Sequence, residues 1–193
     1  MNNIKTRKIT GIGIFTALVI VLQLLGSFIK FGPFSISLVL IPIVVGAALY
    51  GPMAGLWLGF VFGMVVLLSG DATAFLTVSV IGTILTVLVK GSLAGFVSGI
   101  VYKLVPNKTL AAVLSALVCP IVNTGVFLLG CILFFMPTIT IWANGLGFKN
   151  VYSYMILGLV GGNFIFELLS NALLSPIIIK VIDMGKSENI HYK

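Results

Sequence analysis

Lys90 and Glu167 are charged residues set deep inside apolar runs, "ILTVLVKGSLAGF" and "GGNFIFELLSNALLSPII". An ionised side chain at the centre of a bilayer costs about 3 kcal/mol or more, so such residues face a partner or a water-filled cavity. Neither stands alone. At 100° per residue, Ser79, Thr83, Thr86 and Lys90 share an arc of about 60° on one helix. Asn163, Glu167, Ser170 and Asn171 share roughly 100° on another. An ammonium among hydroxyls suits an anionic group, and a carboxylate with carboxamides suits hydroxyl and amide donors. Counted from the same side of the membrane, the two charges lie ~13 and ~14 residues deep, about 20 Å at the helical rise. Two readings follow: an ion pair locking two helices together, or the walls of a polar cavity. Two full polar stripes exceed what one ion pair requires, which favours the cavity.

Asn123 and Thr124 follow Pro120 by one turn. Proline frees a backbone carbonyl, and Asn123 either satisfies it or contacts a ligand. Asp71, in "LLSGDAT", reads as a solvated loop residue or a cap on the following helix. Trp142, Tyr152 and Tyr154 are either interfacial aromatics or stacking surface for a lid over the cavity.

The elements that carry these residues must be membrane helices. Of the 193 residues, 60% are hydrophobic and 8% charged, against about 25% charged in a soluble domain. The apolar runs are ~20 residues long, the length of a spanning helix rather than of a barrel strand. The chain therefore reads as an all-α integral membrane protein, a single domain over 1–193 without internal repeats. Six spans fit, at roughly 8–29, 36–50, 52–69, 77–104, 109–136 and 153–182. Tyr50-Gly51-Pro52 and Pro106-Asn107-Lys108 mark turns. The connection from Pro137 to Tyr152 is too polar and glycine-rich to span. Lys5, Arg7 and Lys8 precede a run too long for a signal-peptide core, so the first helix is expected to be retained.

Cations flank the spans asymmetrically. Lys5, Arg7, Lys8, Lys103, Lys108, Lys180, Lys186 and Lys193 fall on one side, and only Lys30 and Lys149 on the other. This bias puts both termini in the cytoplasm. It also removes nucleic acid as the explanation of the +7 net charge. Gly91, Gly95 and Gly99 form a seam at spacing four, on a different side of their helix from Lys90, for close packing against a neighbour. Cys119 and Cys131 read as buried reduced thiols, and His191 lies in the tail, so neither a metal site nor a cofactor is expected. There is no phosphate-binding GxxxxGK[ST] loop and no intramembrane Ser–His or Cys–His pair. The equipment is for binding or transport, not catalysis.

Taken together, "TRKITGIGIFTALVIVLQLL", "LIPIVVGAALYGPMAGLWLGFVFG" and "LVKGSLAGFVSGIVYKL", with the polar last span, resemble the S components of energy-coupling factor (ECF) vitamin transporters. The resemblance covers about residues 5–182. It implies a six-helix subunit in the bacterial cytoplasmic membrane that captures a vitamin from outside. Its partners would be a transmembrane coupling (T) subunit and two cytoplasmic ATPases, and it would topple in the bilayer to deliver its cargo. By the same resemblance, Gly13 and Ala17 in "GIFTA" form the docking face, with packing inside the bundle as the alternative. The site would draw on Lys90, Asn123, Asn163, Glu167 and Asn171 with the Thr83–Thr86 stripe, under lid residues Trp142 and Tyr154, and "SFIKFGPFSIS" would be a second gate. Pantothenate, with one carboxylate, two hydroxyls and an amide, is the best-matched substrate, with riboflavin and folate behind it. The competing functions are an autonomous transporter or channel, and a membrane scaffold with polar glue.

Overall fold

The computed structural model describes residues 2–28, 30–31, 34–35 and 38–190, with side chains over 5–28 and 38–184. The chain runs α1 (Asn2–Ser27), a two-residue antiparallel ladder of β1 (Lys30–Phe31) and β2 (Phe34–Ser35), then α2 (Leu40–Tyr50) and α3 (Pro52–Leu68). Next come the short α4 (Thr73–Leu76), α5 (Val80–Leu104), α6 (Lys108–Phe134), α7 (Met136–Gly145) and α8 (Val151–Ser153). A π-helix, Tyr154–Gly161, leads without a break into α9, Gly162–Ile190. Most of the gate segment 27–37 lies outside the residues whose side chains are described.

Helix starts follow local chemistry. Gly51 takes φ +97°, which only glycine adopts readily, and Pro52 opens α3 behind it. Ser79 caps α5 by accepting the Gly82 N–H at 3.2 Å, and Asn107 caps α6 by accepting that of Leu110 at 3.0 Å. The Ser79 cap starts α5 three residues later than the apolar run suggests. Within the connection 137–152, residues up to Gly145 form α7, a helix that composition alone does not reveal.

Among the described residues, four segments are long and apolar enough to cross a membrane: Lys5–Ser27, Val80–Leu104, Lys108–Phe134 and Val151–Met184. The other two expected spans, at 36–50 and 52–69, correspond to the shorter apolar helices α2 and α3. α2 and α3 have 11 and 17 residues, about 17 and 26 Å at the helical rise, short of the ~30 Å hydrocarbon core. α2 is buried nearly all round, from Leu40 to Ala48 except Ile41, and packs against α1, α3, α5, α6 and α9. It is a core helix that need not meet lipid.

α3 and α5 run antiparallel with their backbones in contact. A methyl group added at Gly55 or Gly59 would strike the carbonyl of Gly95 or Gly91 respectively, and one at Gly63 would meet that of Val87. The expected Gly91–Gly95–Gly99 seam is thus present, with Gly99 against Pro52, and α3 supplies a matching seam of its own. At the end near the N-terminus, Gly11 leaves room for the Tyr50 side chain, whose ring meets Phe15 edge-on at 6.1 Å. Trp57 Nε1 donates to Thr16 Oγ1 at 3.2 Å and ties α1 to α3.

Replacing Gly59 by valine should cost about 1–3 kcal/mol through overpacking. We expect a melting temperature several degrees lower in detergent, whereas Gly13→Val, where a methyl meets nothing within 4 Å, should leave it unchanged. Equal melting temperatures for the two variants would contradict the seam.

Candidate functional site

The shortness of α2 makes the cavity. Its first turn lies level with the glycine seam, where Ile43 packs beside Gly95. Beyond that level, at the end of the bundle away from Gly11 and Tyr50, no part of α2 fills the axis. The space left is a small, partly open cavity of about 50 Å³. Its walls come from α1 (Gln23), α3 (Phe62, Val66), the segment around α4 (Asp71, Ala72, Phe75), α5 (Thr83, Thr86, Val87, Lys90), α6 (Phe127), Phe135 and α9 (Asn163, Glu167).

Lys90 points into this space. Its Nζ sits 5.2 Å from the Phe127 ring centroid and 5.7 Å from that of Phe62, both within cation–π range. Among the described residues, the ammonium makes no hydrogen bond or ion pair. Glu167 is 2% exposed and lines the same cavity. Its Oε1 accepts from Asn163 Nδ2 at 3.1 Å, and its Oε2 from Asn123 Nδ2 at 3.5 Å. The two charges therefore share a cavity without direct contact, and the carboxylate is held by carboxamides.

Of the residues singled out from sequence, Lys90, Thr83, Thr86, Asn163 and Glu167 line the cavity together. Asn123 and Asn171 stand behind them. Asn123 is turned to Glu167 rather than to a carbonyl freed by Pro120. Asn171, fully buried, donates to the Glu167 carbonyl at 2.8 Å. Trp142 and Tyr154 do not line the cavity. Trp142 packs edge-on behind Phe75 at 5.6 Å, and Tyr154 is buried against Phe148. The aromatic lining is Phe62, Phe75, Phe127 and Phe135, and Phe75 meets Phe127 and Phe135 edge-on at 5.4 and 5.1 Å.

Asp71 departs from its reading as a solvated loop residue. It lines the cavity, accepts Gln23 Nε2 at 2.8 Å, and takes the Ser69 hydroxyl on the same Oδ2 at 3.1 Å. Gln23 itself escaped the sequence reading. Its signal was a lone carboxamide in the first apolar run. Gly13 and Ala17 are exposed on α1, outside the bundle.

The bundle thus holds a cavity at one end, lined by both polar and apolar side chains. Residues 7–182 match the family model "ECF transporter, substrate-specific component", and the chain belongs to that family of multi-pass membrane proteins, which are transporter components rather than enzymes. Among individual proteins, it is 26% identical over 206 residues to the pantothenic acid transporter PanT of Lactococcus lactis subsp. cremoris (strain MG1363), covering 98% of this chain and all of that one. No solved structure matches it.

The shorter bond makes Asn163 the stronger holder of Glu167. In double-mutant cycles read by thermal unfolding, the Asn163–Glu167 coupling should be about 1 kcal/mol and exceed that of Asn123–Glu167. The reverse order would mean that the 3.5 Å contact is the one that fixes the carboxylate.

Proposed function

We propose that this chain is the substrate-binding subunit for pantothenate in an ECF transporter. It would cross the membrane six times with both termini in the cytoplasm, so that the cavity opens outward. The observation that carries the substrate is the Lys90 ammonium, which faces the cavity between two aromatic rings and, among the described residues, makes no ion pair or hydrogen bond, although Glu167 and Asp71 line the same cavity. A buried charge that lacks a hydrogen-bonded partner is costly, and Glu167 is already held by carboxamides, so the ligand's carboxylate is the natural contact for Lys90. Asn163 and Thr86 offer donors and acceptors to hydroxyl and amide groups further along the ligand. The L. lactis relative, named for pantothenic acid transport, supports the same choice. The short α2 is compatible with six crossings, because the length rule governs helices that face lipid and α2 is wrapped by others.

The binding chain carries no phosphate-binding loop, so inward delivery draws on a separate transmembrane coupling subunit and ATPases. α1 supplies the docking face. The Trp57–Thr16 bond and the Phe15–Tyr50 contact fix the rotation of α1, and Gly13 and Ala17 are then left on its outer surface.

Titration of the purified subunit with pantothenate tests the substrate. Binding should be saturable, and Lys90→Met should weaken it by about 10- to 100-fold, the worth of a charge-assisted hydrogen bond. An unchanged affinity would remove Lys90 from the ligand, and no binding to the unmutated protein would reject pantothenate. Gly13→Trp and Ala17→Trp should retain pantothenate binding while the coupling subunit no longer copurifies. Pantothenate uptake into liposomes by the chain alone would instead establish an autonomous transporter.

A further inference from the structure

Gln23 is 1% exposed, in the middle of an otherwise apolar stretch of α1, yet it lines the cavity. Its Nε2 donates to Asp71 Oδ2 at 2.8 Å. An ionised carboxylate only accepts hydrogen bonds, so the amide cannot turn over without setting oxygen against oxygen. The direction of the Gln23 side chain is thereby decided by Asp71. Ser69, donating to the same oxygen at 3.1 Å, steadies the carboxylate.

What remains is Gln23 Oε1, a buried acceptor with no hydrogen-bond partner among the described residues. Across the cavity wall, the Thr86 hydroxyl is buried and unpartnered in the same way, pressed against Gly130, where a side chain would not fit. Buried polar atoms are normally satisfied, and an orphan in a cavity wall points to a group that arrives there. Resting on the cavity being the ligand site, we propose that Gln23 is a specificity-determining residue: Asp71 fixes its amide so that Oε1 accepts a hydrogen bond from a hydroxyl or amide N–H of the ligand. Lys90 selects the anionic end of the molecule. Gln23 selects a donor elsewhere on it and rejects a ligand that offers only acceptors there. Asp71 is the positioning residue, acting through the amide.

The test compares pantothenate with two analogues, one with both hydroxyls O-methylated and one with the amide N-methylated, by calorimetric titration of the purified full-length subunit. The unmutated protein should bind at least one analogue about 10- to 100-fold more weakly than pantothenate, the usual worth of a donor lost from a buried acceptor. In Gln23→Met, which keeps the side-chain volume, that ratio should fall below about 3-fold while pantothenate itself binds more weakly. Asp71→Asn should also compress the ratio, because an asparagine both donates and accepts and lets the glutamine amide turn over. This second variant carries the same readout if Gln23→Met does not fold. Ratios unchanged from the unmutated protein, with only a lower melting temperature, would overturn the proposal and make Gln23 a tie between α1 and the 69–72 segment. That result leaves pantothenate binding standing. A failure of the unmutated protein to bind pantothenate overturns both.

Discussion

Backbone contact between α3 and α5 is the constraint from which the rest follows. Inside a bilayer no hydrophobic drive pulls helices together, because lipid tails solvate leucine as well as another helix does. Close approach of two backbones is then the main source of packing energy, and it requires glycine on both sides. Gly55, Gly59 and Gly63 meet the Gly95, Gly91 and Val87 level of α5 in antiparallel order. Such a contact permits neither sliding nor rotation. Once Gly91 is committed to α3, Lys90 is turned about 100° away, toward the gap between α3, α5 and α6. The direction of the cation is a by-product of glycine packing one residue further along.

The cavity has an equally simple origin. α2 is nearly all buried but begins only at Leu40, so the bundle is filled on one side of the seam and hollow on the other. The hollow is closed by aromatic rings and kept polar by side chains from α1, α5 and α9. Glu167 is tolerated there because two carboxamides already solvate it. Lys90 is tolerated against the faces of Phe62 and Phe127, a weaker solvation that leaves its charge available.

How much of this was legible in the sequence depended on contrast. A polar residue in an apolar run stands out, so Lys90, Thr83, Thr86, Asn163 and Glu167 could be found by counting along helices. The glycine seam of α5 was visible for the same reason. The aromatic wall was not, because Phe75, Phe127 and Phe135 look the same in sequence as the exposed Phe134 and Phe166. In a water-soluble helix, hydrophobic periodicity tells inside from outside. In this protein both sides are apolar, and the signal vanishes. Trp142 and Tyr154 drew attention because they were aromatic near a loop, yet they pack behind the wall rather than in it. Gln23 and Asp71 lie 48 positions apart, and separately each had an ordinary explanation. Only the fold makes them one unit.

The π-helix at Tyr154–Gly161 gives the last span a property that a continuous α-helix lacks. Its i→i+5 bonding takes up an extra residue inside the helix. It ends where a methyl at Gly161 would press on the Ile156 carbonyl, two residues before Asn163. Were these residues to wind as α, everything C-terminal would shift by one place, about 1.5 Å along the axis and 100° around it. Asn163 and Glu167 would leave the cavity as a pair, and two apolar neighbours would take their positions. One inserted or deleted residue in this segment is therefore a ratchet step that exchanges a polar wall for a greasy one while leaving the helix unbroken.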